Sequence, residues 1–160
     1  MKIRRATRLD TRQMADLLNG IIAAGGTTAL TDPVTGDMLW DWIETGSDRA
    51  AWHVAEQDGE IVGFQWIGPQ DDLPEGACDI ASFVRIGQTG LGIGSKLFDA
   101  TQEAARDLGY AWINANIRAD NDSGLTYYQS RGFRVYGHVR DYRLNDGQVV
   151  DKVLKRFDLD

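Results

Sequence analysis

The sequence predicts an α/β fold in which one mixed sheet carries helices on its faces, and three observations predict it. Two strand-like runs flank Asp58-Gly59, a strong two-residue hairpin signal. Over residues 77–117 a strand, a glycine-rich turn, a long amphipathic helix and another strand follow in turn, which makes a βαβ crossover. The whole chain reads β-α-α-β-β-β-α-β-α-β-β, so early hairpins precede later crossovers.

Residues 2–6 form a short extended start. Asp10 is placed to cap a helix, with Gln13 at the capping-box offset, and Met14, Leu17, Leu18, Ile21 and Ile22 recur at helical spacing. Gly25-Gly26 ends that helix, and residues 27–33 are irregular. A second short helix is expected over 35–45, with Leu39, Trp40, Trp42 and Ile43 as its apolar residues. Strands over 52–56 and 61–67 make the hairpin, and 69–76 is an acidic loop. After the strand 77–84 and the turn 87–94, a long helix covers 95–108, with Gly109 where a left-handed cap belongs. A strand over 110–117 and a short helix over 123–130, stopped by Gly132, come next. Two last strands, 133–144 and 149–159, are joined by Asn145-Asp146-Gly147. Residues 1–160 are expected to be a single domain, since domains cluster near ~100–150 residues.

Composition narrows the function. Lys+Arg number 17 against 24 Asp+Glu, a net charge of −7, which argues against a nucleic-acid binder and suits cationic partners such as amines. No apolar run approaches the ~20 residues that span a bilayer, and the basic start leads into polar sequence. Neither a membrane nor a nucleic-acid partner is expected, and a cytoplasmic location is. Cys78 is the single cysteine and no Cys/His cluster has zinc spacing, so no metal is expected.

The strongest feature is Thr89-Gly90-Leu91-Gly92-Ile93-Gly94-Ser95, between a strand and a long helix. Such a turn presents backbone N–H groups at a helix N-terminus, an anion site suited to phosphate or pyrophosphate. An ordinary tight turn without a ligand fits the spacing equally well. A Walker loop does not, because Ser95 precedes Lys96, and a dinucleotide fingerprint lacks its acidic residue at the end of the following strand. The second feature runs from Asn121 to Phe133. Asn121 or Ser123 can cap its helix, and the adjacent Tyr127 and Tyr128 cannot share a face, so at most one is naturally core.

Together these features resemble the GNAT superfamily of N-acetyltransferases. The family's acetyl-CoA pattern, (Gln/Arg)-x-x-Gly-x-(Gly/Ala), falls on Thr89, Gly92 and Gly94, with Thr89 in the Gln/Arg place. A later pattern falls on Asn121, Gly124, Tyr128, Gly132 and Phe133. Gly26-Thr27-Thr28-Ala29, Val54-Ala55-Glu56 and Asp58-Gly59-Glu60 are similar to the phosphinothricin-acetyltransferase-like branch. The resemblance implies a mostly antiparallel sheet with helices on both faces and a cofactor cleft where two strands splay. It implies direct transfer of acetyl from acetyl-CoA to a small primary amine, an amino acid or an analogue of the phosphinothricin or methionine-sulfoximine type. Alternatives are another amine, such as a protein N-terminus or polyamine, and a catalytically silent acyl-CoA-binding regulator. The branch often forms dimers, which makes a homodimer the assembly to test.

By the same resemblance, residues 89–95 and Asn121 contact the cofactor, and the N–H of Phe83 or Val84 receives the oxyanion. Tyr128 serves as general acid, and Asp79 as base or water-mediated relay. His53, His138, the tryptophans and Cys78 read as structural residues.

Overall fold

The computed structural model describes residues 1–88 and 92–159. Among them, seven strands form one sheet in the order β1-β2-β3-β4-β5-β7-β6. The strands are β1 (Lys2–Arg5), β2 (Ala51–Gln57), β3 (Glu60–Gly68), β4 (Ala77–Val84), β5 (Trp112–Arg118), β6 (Arg134–Arg143) and β7 (Val149–Asp158). The helices are α1 (Thr11–Ala24), α2 (Gly36–Thr45), α3 (Ile93–Asp107) and α4 (Asp122–Ser130). The element order is the one the sequence predicts. Within the sheet β4 and β5 run parallel, while the other neighbouring pairs run antiparallel.

Alternation along the strands sends neighbouring side chains to opposite faces. Val54 and Phe64 pack with Met14, Leu18 and Leu39 of α1 and α2. Ala55, one residue on, packs with Ile93 and Leu97 of α3. Further along that second face, Phe98, Ala104 and Ala105 of α3 meet Ile80, Ile113 and Ala115 of the sheet and Tyr128 of α4. The helices therefore cover both faces, α1 and α2 on one, α3 and α4 on the other.

Local signals explain most boundaries. Asp58 and Gly59 both take positive φ, 53° and 81°, as a two-residue hairpin with the sheet's twist requires. Thr35 caps α2 by accepting from Met38 N at 3.1 Å. The start of α1 differs from expectation. A short 3-10 turn (Arg8–Asp10) precedes it, and the capping box joins Thr7 to Asp10. Asp10 accepts from Thr7 N at 2.7 Å and from Arg4, while Gln13 leaves the helix end and accepts from Ile61 N at 2.9 Å. β5 also begins later than predicted. Tyr110 N still bonds Ala105 O at the end of α3, and the Tyr110 hydroxyl donates to Arg49 O at 2.7 Å.

One close approach seats α3 on the sheet. A Cβ on Gly63 would stand 2.9 Å from Ile93 Cγ2 and 3.1 Å from the Phe83 carbonyl oxygen, so only glycine lets α3 settle there. Gly63→Ala is expected to cost about 1–3 kcal/mol of stability through overpacking, read as a lower urea midpoint with an unchanged m-value.

Candidate functional site

β4 and β5 share a ladder for four residue pairs, from Ala77↔Trp112 to Ile80↔Ala115, and then part. Beyond that point β4 stays paired with β3 through Gly63↔Val84, and β5 with β7 through Arg118↔Lys152. A wedge opens between them, with one side of the 81–84 backbone lacking a strand partner.

The ladder with β3 decides which groups face the wedge. Arg85 N donates to Val62 O at 2.9 Å, so the hydrogen-bonded pairs alternate from there through Phe64↔Phe83 and Trp66↔Ala81. The N–H of Phe83 is thus spent on β3. The N–H groups of Ser82 and Val84 point the other way, into the wedge. Of the two oxyanion donors the sequence offered, this geometry leaves Val84.

On the α3 side of the sheet a polar chain crosses the wedge. The Tyr127 hydroxyl donates to Gly94 O at 2.7 Å, since a carbonyl can only accept. Its oxygen then accepts from Gln65 Nε2 at 3.1 Å, which fixes the orientation of that amide. Gln65 Nε2 also donates to Ser82 Oγ at 2.7 Å, and Ser82 Oγ lies 2.8 Å from the Tyr128 hydroxyl. Because Ser82 already accepts from Gln65, its own hydrogen can serve Tyr128 and leave the phenolic proton for the wedge. Gln65 is fully buried and its Oε1 has no partner. Tyr128 is 7% exposed, and burial pushes its pKa up, so it holds its proton at neutral pH.

Of the two tyrosines only Tyr128 is buried, as the sequence predicts, while Tyr127 is half-buried and packs against the same cluster. Their rings meet edge to face at 4.9 Å. The short helix α4 sits in a corner, so Tyr128 turns to the sheet while Tyr127 turns to the first turn of α3. Gly94 accommodates it, since a Cβ there would lie 2.7 Å from the Tyr127 ring.

The opposite face of β4 carries Asp79. Asn114 Nδ2 donates to Asp79 Oδ1 at 3.0 Å, and the Tyr136 hydroxyl donates in turn to Asn114 Oδ1. Burial raises the Asp79 pKa, an effect that Asn114, the Ile80 backbone and the charge of Lys152 only partly offset. Asp79 and Tyr128 therefore flank β4 from its two sides.

At the mouth, Gly92 caps α3 in a left-handed conformation with φ 81°, and a Cβ there would meet nothing within 4 Å. Ile93 is buried against the sheet and directs no side chain outward. Arg131 donates to Ser95 Oγ at 2.6 Å, and among the described residues its buried Nε has no partner. Thr89, Gly90 and Leu91 lie outside the described residues. Asn121 caps α4 by accepting from Gly124 N at 3.0 Å, and its Nδ2 donates to Thr27 O at 3.1 Å. Arg118 donates to Thr28 O at 3.2 Å. The segment between α1 and α2 is thereby tethered to the far wall of the wedge. Sequence reasoning missed Gln65, Ser82, Asn114 and Arg118. Gln65 carried a signal, as a lone polar residue in an apolar strand.

Cys78 is buried, and burial pushes its thiol up to about 12, which keeps it inert. Among the described residues, no group of three or more His, Cys, Asp or Glu could hold a metal ion, and no helix is long and apolar enough to cross a membrane.

The acetyltransferase (GNAT) family model matches residues 23–133. A phosphinothricin N-acetyltransferase of Streptomyces viridochromogenes is 26% identical, covering 88% of this chain and 78% of its own. An L-methionine sulfoximine/L-methionine sulfone acetyltransferase of Pseudomonas paraeruginosa is 25% identical, over 88% of this chain and 92% of its own. The fold matches a phosphinothricin acetyltransferase of Sinorhizobium meliloti, solved in complex with acetyl-CoA, at a TM-score of 0.88. That protein is 17% identical, over 99% of this chain and 88% of its own.

His53 lies in the cross-strand row Arg5–His53–Gln65–Ser82, and its buried Nδ1 has no partner. Burial, with the charge of Arg5 behind it, lowers its pKa from 6.5 to about 4. The unfolded chain then binds more protons between those values, so stability is whole above pH 6.5 and falls as pH drops toward 4. His53→Gln is expected to flatten this part of the stability–pH curve, measured by urea unfolding at a series of pH values.

Proposed function

The chain belongs to the acetyltransferase (GNAT) family, and on that premise we propose that it transfers an acetyl group from acetyl-CoA to the primary amine of a small acceptor of amino-acid type. The observation that carries this reading is the wedge, with a proton donor on one face of β4 and a carboxylate on the other. Similarity to the phosphinothricin and methionine-sulfoximine enzymes supports the acceptor class. Residues 1–160 act as one domain in this reading.

The residues present fit the cofactor. Among the described residues, the N–H groups of Ser82 and Val84 are open to the wedge, nothing crowds the backbone of Gly92, and Arg131 Nε has no partner. The turn 89–95 and the first turn of α3 would hold the pyrophosphate through backbone N–H groups. Arg131, steadied on Ser95 in the first turn of α3, adds a cation beside that helix start. Asn121 acts by holding α4 and the Thr27 carbonyl in place. When bound, acetyl-CoA supplies the acetyl group as a thioester, which the amine attacks and from which a thiolate departs.

Asp79 takes the proton that the ammonium must lose, directly or through a water. A carboxylate with a raised pKa is better matched to that task near neutral pH. Val84 N–H donates to the oxygen on which charge develops. Tyr128 returns a proton to the leaving sulfur, its hydroxyl aimed by Ser82 and Gln65. β4 and α4 hold these groups about one site, and such positioning can be worth ~7–11 kcal/mol.

Tyr128→Phe keeps the packed ring and removes the proton donor. It is expected to lower kcat by roughly 10²–10⁴-fold with acetyl-CoA affinity nearly intact, checked by a thiol-release assay alongside calorimetry. Unchanged turnover would make Tyr128 structural.

Asp79 must be ionised to accept a proton, so wild-type kcat/KM falls as pH drops through its raised pKa. In Asp79→Asn the rate depends on amine already deprotonated in solution and rises about tenfold per pH unit below the amine's pKa. The mutant deficit is therefore largest at low pH. A deficit that is constant across pH, with KM unmoved, removes Asp79 from the mechanism.

A further inference from the structure

On the Asp79 side of the sheet lies a cavity of about 490 Å³, within the range of small-molecule sites. Leu30 of the tethered segment and Trp42 of α2 form its outer wall. Trp52 and Trp66 of β2 and β3, with Ala81 and Phe83 of β4, form its floor. Among the described residues, no charged side chain lines it. Its position ties it to the proposed chemistry. Ala81 and Phe83 alternate with Asp79 along one face of β4, so the cavity runs beside the carboxylate. The cofactor cradle lies on the other face, across the wedge.

We propose that this cavity receives the acceptor, and that the acceptor is a primary amine carrying an aromatic or branched aliphatic body. The proposal rests on the transferase reading above and adds to it the substrate's character. An amine held at Asp79 must put the rest of its mass somewhere, and the adjoining space is apolar. A phosphinate or second carboxylate there would be desolvated with no cation among the lining residues to pair it, which opposes its binding. An aromatic ring there would lose apolar surface to water and meet three indole walls, which favour ring–ring contact. The relatives named for phosphinothricin and methionine sulfoximine act on more polar molecules, so this chain departs from them in specificity.

A thiol-release panel with L-phenylalanine, phenethylamine, L-leucine, phosphinothricin and glycine tests the proposal. The aromatic or branched amines are expected to exceed phosphinothricin in kcat/KM by roughly 10- to 100-fold, the worth of burying one large apolar group. Comparing L-phenylalanine with phenethylamine tells whether the natural acceptor is an amino acid or its decarboxylated amine. Trp42 is 37% exposed, so Trp42→Ala leaves the fold intact. It should raise KM for the aromatic amines while kcat changes little, whereas Ala81→Leu, which fills the floor, should narrow the preference toward small amines. Preference for phosphinothricin, with Trp42→Ala shifting every KM alike, overturns the proposal and leaves the transferase reading standing. If no amine is acetylated, the transferase reading fails, and calorimetric titration with phenethylamine then decides the cavity. Saturable binding lost in Trp42→Ala keeps it as an apolar-amine site, and absence of binding overturns it.

Discussion

The parting of β4 from β5 after Ile80 and Ala115 is the constraint on which the rest of the molecule depends. Backbone N–H and C=O groups need partners when buried, and a sheet normally supplies them on both sides of an inner strand. Here each strand keeps its outer neighbour, β3 or β7, and gives up the inner one. The seven-stranded sheet is thus two half-sheets joined by a four-residue parallel seam. The exposed inner edge of β4 is a strip of unused hydrogen-bonding capacity, and Asp79, Ser82 and Tyr128 are arranged along it.

The two faces of that strip are built differently. The α3 face uses a neutral chain, Gly94 to Tyr127 to Gln65 to Ser82 to Tyr128, in which one accept-only carbonyl sets the direction of the Tyr127 and Gln65 donors. The other face uses charge, with Asp79 held by Asn114 and balanced by Lys152 at a distance. Neutral groups suit a site that must keep a proton, and a desolvated carboxylate suits one that must gain it. β4 keeps the two environments apart because its side chains alternate.

Much of this was legible in the sequence. Elements with strong local signals, such as the Asp58-Gly59 hairpin and the long amphipathic α3, appear where residue chemistry put them. Tyr128 stands in a motif whose spacing marks it, and Asp79 was singled out only through the family resemblance. The errors occur where distant segments compete for a side chain. Gln13 was assigned to its own helix but bonds Ile61, and Tyr110 was assigned to a strand but closes α3. Ser82, Asn114 and Arg118 carry no local pattern at all, since their importance comes from partners 35 to 90 positions away. The choice between Phe83 and Val84 likewise needed the register of a neighbouring strand.

The grip of Asn121 and Arg118 on the segment after α1 has a consequence for how such a protein can diverge. Both side chains hold main-chain carbonyls, those of Thr27 and Thr28, and neither depends on what side chains the segment carries. Position and composition are thereby uncoupled. Leu30 and its neighbours can be exchanged without loosening the anchor that keeps the segment over the wedge. The composition of this loop can drift through a handful of substitutions while Asp79 on β4 and Tyr128 on α4 stay where they are, so the face presented to the wedge can change without rebuilding the strand beneath it.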